Sequence, residues 1–225
     1  MAQYFTVHPR DPQPRLMRQA ASILRGGGVI AYPTDSSYAL GCQLGDLDAV
    51  RRLRAIRKVD EQHHFTLVCR DLAQIGHYAR LDTWQFRLVK QGTPGPFTFI
   101  LPATREVPRR LQHPKRSTIG VRVPDHPVPL ALVEEMGEPI LSSTLILPGE
   151  SEPLNDAEAI REALAQSLDL VIDAGACHLE PTTVIDLATE TPRIVRLGRG
   201  DPARLGLSAE AEFLGGGEGA RPRLG

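Results

Sequence analysis

The sequence predicts an α/β fold with α+β character: one twisted, mixed sheet flanked by helices, in a single domain over residues 1–207. Three observations carry this prediction. Apolar runs of strand length alternate with stretches of helical periodicity along most of the chain. The alternation is not strict, because strand-like runs follow one another near 97–122 and again near 170–196, which points to a mixed rather than an all-parallel sheet. The 225 residues, 41% hydrophobic and 24% charged, suffice for one sizeable core.

The elements follow in order. Residues 13–26 read as an amphipathic helix, with Leu16, Ala20 and Ile23 at helical spacing and a Gly26-Gly27-Gly28 stop. Val29–Tyr32 is a short apolar strand ended by Pro33. Asp46 is a candidate N-cap for a helix over 46–58, where Val50, Leu53 and Ile56 share a face. Phe65–Cys69 is a strand, and 71–79 and 82–91 are helices. Phe97–Leu101 and Thr118–Arg122 are strands, 127–136 is a helix, Ile140–Ser143 a strand and 156–167 a helix. Leu170–Asp173, Thr183–Asp186 and Arg193–Arg196 complete the strands. Residues 208–225 contain GGGEG and little apolar content, and are expected to form a disordered tail.

No run approaches the roughly 20 apolar residues that a membrane helix needs. The N-terminal MAQYFTVHPRDPQPR lacks the apolar core of a secretory signal, so a cytoplasmic location without a membrane partner is expected. Cys42, Cys69 and Cys177 are too scattered for a disulfide framework or a cysteine zinc site, and are expected as buried or half-buried free thiols. No tightly bound metal is expected. Nothing resembles a coiled-coil seam, so a monomer or loose dimer is the expected state.

The net charge of −1 hides an asymmetry. Residues 1–125 hold 19 Lys/Arg against 10 Asp/Glu, and residues 126–225 hold 7 against 17. The basic half is almost all arginine, whose planar fork grips phosphate in a bidentate way. Such a face is the footprint of a nucleotide or nucleic-acid binder. Mutual neutralisation of the two halves is the structural alternative.

Several segments carry candidate chemistry. After the strand ending at Tyr32 come Thr34, Ser36, Ser37 and Tyr38, hydroxyls placed where α/β sheets usually bind ligands. They serve equally as a capping turn. Arg54, Arg57 and Lys58 share one helix face, which suits either a ligand or the helix macrodipole. In His63-His64, alternation along an extended chain would send the two rings opposite ways, so a metal pair is not expected. Thr93-Pro-Gly-Pro-Phe-Thr98 is a stiff loop that sets Thr98 at a strand start. Arg105, Arg109, Arg110, Lys115 and Arg116, followed by Arg122, form a candidate phosphate track, without interleaved aromatics for base stacking. Ser142 and Thr144 stand at another strand end, and Thr182 and Arg196 near the last two strands. There is no Walker loop, no GxGxxG after the first strand and no GxSxG elbow.

Taken together, YPTDSSYALG, TPGPFTFIL, IGVRVPDHP, EPTTVIDL and RIVRLGRGD, in this order over residues 10–200, resemble the YrdC-like (YrdC/YciO) family, most of all its YciO branch. The resemblance implies a twisted mixed sheet around a concave basic surface. It also implies an L-threonylcarbamoyladenylate synthase activity. L-threonine, bicarbonate and ATP, the last as substrate with Mg2+, would give threonylcarbamoyl-AMP and pyrophosphate for modification of tRNA adenosine 37. By the same resemblance Thr34, Tyr38 and Thr98 are substrate-binding, Ser142, Thr144, Thr182 and Arg196 nucleotide-binding, and Arg57 and Lys58 catalytic. Two motifs depart from the enzymatic branch: Arg57-Lys58-Val59 stands where it has K-x-R, and Thr144-Leu145-Ile146 where it has S-x-N. Weak activity is therefore expected. The alternative is a non-catalytic, translation-associated protein that binds double-stranded RNA or tRNA through Arg54, Arg109, Arg110, Lys115, Arg116 and Arg122.

Overall fold

The computed structural model describes residues 1–60 and 63–208; the tail expected over 208–225 lies, beyond Ser208, outside the described residues. The elements run β1 (Gln3–Thr6), α1 (Pro14–Arg25), β2 (Ile30–Tyr32), β3 (Ala39–Gln43), α2 (Leu47–Arg57), β4 (Thr66–Val68), α3 (Leu72–Tyr78), α4 (Thr83–Gly92), β5 (Phe97–Pro102) and β6 (Thr118–Arg122). Then come α5 (Pro127–Met136), β7 (Ile140–Thr144), α6 (Ala157–Leu164), β8 (Leu170–Asp173), β9 (Thr183–Asp186) and β10 (Arg193–Arg196), with short 3-10 turns at Arg109–Leu111 and Pro202–Leu205.

Local chemistry fixes the helix ends. Asp46 caps α2 by accepting from the N–H groups of Asp48 and Ala49 at 3.0 and 2.9 Å, and Asp71 and Asp156 cap α3 and α6 in the same way. Pro127 opens α5, and Gly137, with φ 70°, closes it in the left-handed region that a side chain would strain.

The ten strands of the described residues form one sheet in the order β1-β8-β2-β3-β7-β4-β6-β5-β9-β10. It is mixed, as the sequence predicts: β1 and β2 pair with β8 in parallel, as do β4 with β6 and β5 with β9, and the remaining pairs are antiparallel. β1 and β3 are the two strands the sequence did not announce.

Alternation along the strands divides the core. One face carries Ala31, Leu40, Leu67, Phe97, Phe99, Ile119, Val121, Leu141, Val171 and Ile185, and packs on α2, α3, α4 and α6 through Leu53, Ile75, Val89 and Ile160. The opposite face carries Ile30, Tyr32, Val68, Ile140, Leu170 and Ile172, covered by α1 and α5 through Met17, Leu24, Leu132 and Met136. That second layer stops partway across the sheet. Beyond it, the same face presents Thr66, Thr98, Ile100, Gly120, Arg122, Ser142 and Val184 to a cavity.

The chain entering β9 and the chain leaving β10 approach closely. A Cβ on Gly198 would lie 2.2 Å from the Pro181 carbonyl oxygen and 2.7 Å from that of Thr182. Gly198→Ala is therefore expected to push the 180–182 and 197–199 segments apart and to cost about 1–3 kcal/mol, the usual range for overpacking, read as a lowered urea midpoint.

Candidate functional site

The cavity encloses about 500 Å³, floored by the bare half of the sheet and closed at its sides by the loop after β2, the end of α2, the loop before β4 and the end of β7. Among the described residues that line it there is no carboxylate and no side-chain amide. Hydroxyls, three arginines, two histidines and a few apolar side chains make up the wall.

Arg57, at the C-terminal end of α2, donates from Nε to Ser143 Oγ at 3.3 Å and from one terminal nitrogen to the Ile146 carbonyl. Arg196 donates from Nε and a terminal nitrogen to the Thr182 carbonyl at 3.1 and 2.9 Å, and reaches Thr182 Oγ1 at 3.2 Å. Each is thereby anchored, and each keeps one terminal nitrogen that bonds to no described residue. Burial pushes both guanidinium pKa values down, and for Arg196 the charges of Arg122 and Arg57 add to the effect. The cavity is thus electropositive and preorganised for an anion. A bulge aids this. The β9–β10 register shifts between Ile194 and Arg196, so that Val195 and Arg196, neighbours in sequence, both border the cavity.

Arg122 is different. Its buried guanidinium meets the buried carboxylate of Asp35, and one nitrogen reaches Ser36 Oγ at 3.3 Å. Asp35 also accepts from the Asp125 N–H at 3.1 Å. The pair is a wall between the electropositive cavity and a second hollow of about 660 Å³ bordered by Asp35, Asp125 and Glu180.

Proton counting limits what the hydroxyls can give. Ser142 Oγ donates to the Leu40 carbonyl at 2.9 Å and so must accept from Tyr32 Oη at 2.7 Å, leaving no proton for a ligand. Thr34 donates to the Ser37 carbonyl at 2.7 Å and accepts from Ser36, so its proton is also spent. Thr98 and Thr182 share one bond of 2.8 Å, which leaves one hydroxyl proton between them. Ser37, Thr66 and Thr144 add hydroxyls that no described residue engages.

The structure gathers Thr34, Arg57, Thr98, Ser142, Thr144, Thr182 and Arg196 into this cavity and leaves other expected site residues outside it. Tyr38 is fully buried in the helix-covered core, its hydroxyl donating to the Gly175 carbonyl at 3.0 Å. Lys58 is the exposed left-handed cap of α2. Arg54 lies over the Phe65 ring at 4.7 Å and donates to the Asp60 carbonyl. Arg116 is held by Asp186 through bonds of 2.6 and 3.1 Å. Arg122, 6% exposed, belongs to the cavity wall and not to an outer RNA track. Arg109, Arg110 and Lys115 are exposed, as an outer track requires.

His63 and His64 both border the cavity, contrary to the alternation argument, because β4 begins only at Thr66 and the preceding chain is not extended strand. His63 Nε2 is 3.2 Å from Ser143 Oγ; His64 Nε2 is 3.3 Å from Thr118 Oγ1, and its ring stacks on His113 at 4.5 Å. Burial, then Arg57 and Arg54, push the His63 pKa down to about 4, and burial likewise lowers His64. Thr66, Ile100, Gly120 and Val184 are site residues the sequence reasoning missed. Their signal was available: each is the alternate position in a strand whose other positions are core residues. The cysteines stand as expected, Cys42 and Cys69 buried and Cys177 half-buried, all free.

A half-covered mixed sheet with an arginine-bordered cavity defines an electropositive, ligand-sized site in an α/β protein. The Sua5/YciO/YrdC family model, described as "Telomere recombination", matches residues 22–198, and the chain belongs to this family. E. coli YciO is 51% identical over 201 residues, covering 89% of this chain and 98% of YciO. Its crystal structure superposes with a TM-score of 0.89, covering 91% of this chain and all of that one. A Chromobacterium violaceum threonylcarbamoyl-AMP synthase is 35% identical over 189 residues, 84% of this chain and 96% of that protein. P. abyssi Sua5 complexed with L-threonine is 27% identical with a TM-score of 0.80, covering 87% of this chain and 57% of that one. No helix of the described residues is long and apolar enough to cross a membrane.

Two outcomes follow. Asp35→Asn strands the Arg122 charge in the wall and should cost about 3–5 kcal/mol in a urea melt, whereas Asp35→Leu combined with Arg122→Met should recover most of that loss. For His63, the unfolded chain takes up a proton near pH 6.5 and the folded one only near 4. Between those values the unfolded state holds more protons, so stability must fall as pH drops from about 6.5 to 4. His63→Gln should flatten that slope in urea midpoints measured at pH 7 and 4.5.

Proposed function

We propose that the cavity binds ATP and L-threonine and forms threonylcarbamoyl-AMP, slowly compared with enzymes that keep the full K-x-R and S-x-N motifs. The observation that carries this is the pairing of two anchored guanidinium groups, Arg57 and Arg196, across a hydroxyl-lined cavity with no carboxylate among its described lining residues. The family membership and the 35% identity to a threonylcarbamoyl-AMP synthase support it.

The chemistry needs no covalent protein intermediate. The threonine amine nitrogen bonds to the carbon of CO2 drawn from bicarbonate, giving its proton to solvent. A carbamate oxygen then bonds to the α-phosphorus of ATP as the bond from that phosphorus to the bridging oxygen breaks, and pyrophosphate leaves with the electron pair. The protein holds two anions side by side and neutralises charge on the phosphates. Arg57 and Arg196 do the latter, and Thr98 with Thr182, Ser37, Thr66 and Thr144 supply orienting hydroxyls. Mg2+ arrives as part of the nucleotide substrate and is held by its phosphates.

The slow rate has a local cause. Val59 and Ile146 replace the arginine and asparagine of the enzymatic branch, and His63, neutral at pH 7, cannot restore the missing positive charge. Lys58 points away from the task, as an exposed helix cap.

A second reading rests on a different observation. Arg109, Arg110 and Lys115 are exposed in one stretch with no ion pair to a described carboxylate. They suit the phosphate backbone of duplex RNA or tRNA, read by shape. A protein engaged in either role works in the cytoplasm.

One experiment separates the two. Isothermal titration with MgATP, with and without L-threonine and bicarbonate, should give binding that tightens with threonine, and chromatography should detect threonylcarbamoyl-AMP. Arg57→Ala should weaken ATP binding roughly ten- to a hundredfold, the loss of one charged hydrogen bond. No heat with either ligand, together with RNA affinity that drops steeply between 50 and 200 mM salt, would transfer the function to RNA.

A further inference from the structure

Ser143 and His63 border the cavity without a part in the chemistry above. Strand pleat sends the adjacent hydroxyls of β7 to opposite sides. Ser142 bonds on one side to Tyr32 and the Leu40 carbonyl, and Ser143, on the other, meets the end of α2. Ser143 is buried, and two described side-chain groups lie within reach of its Oγ: Arg57 Nε at 3.3 Å and His63 Nε2 at 3.2 Å. The imidazole is itself held in place. Its ring meets the fully buried Phe65 edge-on at 5.4 Å, and the His63 N–H donates to the Asp60 carbonyl at 3.3 Å.

Proton counting gives both bonds a direction. Arg57 Nε carries a hydrogen, so it donates and Ser143 Oγ accepts. The Ser143 proton then needs an acceptor, and among the described residues His63 Nε2 is the one within reach. A hydrogen on Nε2 would instead aim a second donor at Ser143 Oγ, beside a guanidinium that already donates to it, and leave the hydroxyl proton unspent. Accepting from a charged group also makes the hydroxyl a stronger donor, so the two bonds reinforce each other. Burial and the charges of Arg57 and Arg54 keep the ring neutral at pH 7, as an acceptor must be. One terminal nitrogen of Arg57 donates to the Ile146 carbonyl, which leaves its second terminal nitrogen without a described partner.

We propose that His63, with its proton on Nδ1, accepts the Ser143 hydroxyl proton, and that this Arg57–Ser143–His63 relay orients Arg57 for a bound anion. Ser143 and His63 are thus positioning residues: the ligand meets Arg57, and they hold Arg57 in place. The tautomer and the relay stand on the geometry alone; their effect on MgATP rests on the nucleotide reading above.

The test uses the full chain with heavy nitrogen in its histidine and arginine side chains. Two-bond proton–nitrogen spectra at pH 7 should show the His63 ring, identified by its loss in His63→Gln, with a protonated Nδ1 and a bare Nε2. In Ser143→Ala the Arg57 Nε–H should exchange with solvent about tenfold faster and MgATP should bind about tenfold more weakly, each the loss of a hydrogen bond to a charged group. Ser143→Thr, which keeps the hydroxyl, should restore both. His63→Leu removes the acceptor alone and should also speed Arg57 exchange. Adding Ser143→Ala to Arg57→Ala should weaken MgATP no further than Arg57→Ala by itself. A His63 proton on Nε2 overturns the proposal. So does Arg57 exchange that ignores Ser143→Ala and His63→Leu, and so do MgATP losses that add in the double variant. The expected tautomer and Arg57 signals in a chain that binds no MgATP uphold the relay and remove the nucleotide reading instead.

Discussion

Arg122 stands inside the sheet only because Asp35 meets it there. Its strand, β6, lies deep in the sheet, and at that position the second helix layer has already ended. An unpaired guanidinium at this depth would draw water into the floor of the cavity or push the loop after β2 outward. The carboxylate instead pulls that loop down across the strand ends, and Asp35 is itself steadied by the Asp125 N–H. Thr34, Ser36 and Ser37 take their places beside the cavity because the loop is held at this point. A buried pair of this kind contributes little net stability, but its loss is costly, so it acts as a locating device.

The same pair settles which arginines count. The basic half of the sequence suggests one broad positive face. In the structure its charges serve separate ends. Arg116 is matched by Asp186, Arg52 by Asp169 and Arg122 by Asp35. Each partner in the first two cases comes from the acidic half, so mutual neutralisation accounts for part of the asymmetry. Of the basic half's arginines Arg57 faces the cavity unpaired with a carboxylate, and Arg196, from the acidic half, joins it there; both are fixed through backbone carbonyls, which substitutions at other positions do not remove. Hydroxyl composition misleads in a similar way. A motif rich in serine and threonine reads as a row of donors, yet Thr34 and Ser142 spend their protons on the protein itself.

Much of the fold was legible. Every helix and eight of the strands follow from period, caps and breakers, since their apolar faces meet a neighbouring layer. β1 and β3 were not legible for identifiable reasons. Gln3–Thr6 is half polar and finds its partner only at Leu170–Asp173, far along the chain. Ala39–Gln43 has no β-branched residue and carries Gly41, which the packing demands: a Cβ there would lie 2.8 Å from the Tyr32 ring and 2.9 Å from Ile140. The cavity was half legible. Its loop hydroxyls and Arg57 stand out as motifs, whereas Thr66, Ile100, Gly120 and Val184 are visible only once one knows which face of the sheet is bare. Lys58, Tyr38 and Arg54 share motifs with cavity residues but point elsewhere, because helix rotation and strand pleat, which spacing alone leaves open, decide direction.

The parallel pairing of β1 with β8 also bears on synthesis. Gln3 lies opposite Leu170 and Thr6 opposite Asp173, and β2 joins the same strand. At ribosomal speeds of roughly 5–20 residues per second, the N-terminal strand is outside the tunnel for about 10–30 s before its partner exists. Over that interval β2 can pair with β3, which follows it directly, but neither β1 nor the other edge of β2 has its partner β8. The β1 edge of the sheet therefore closes only after β8 has been made, late in synthesis.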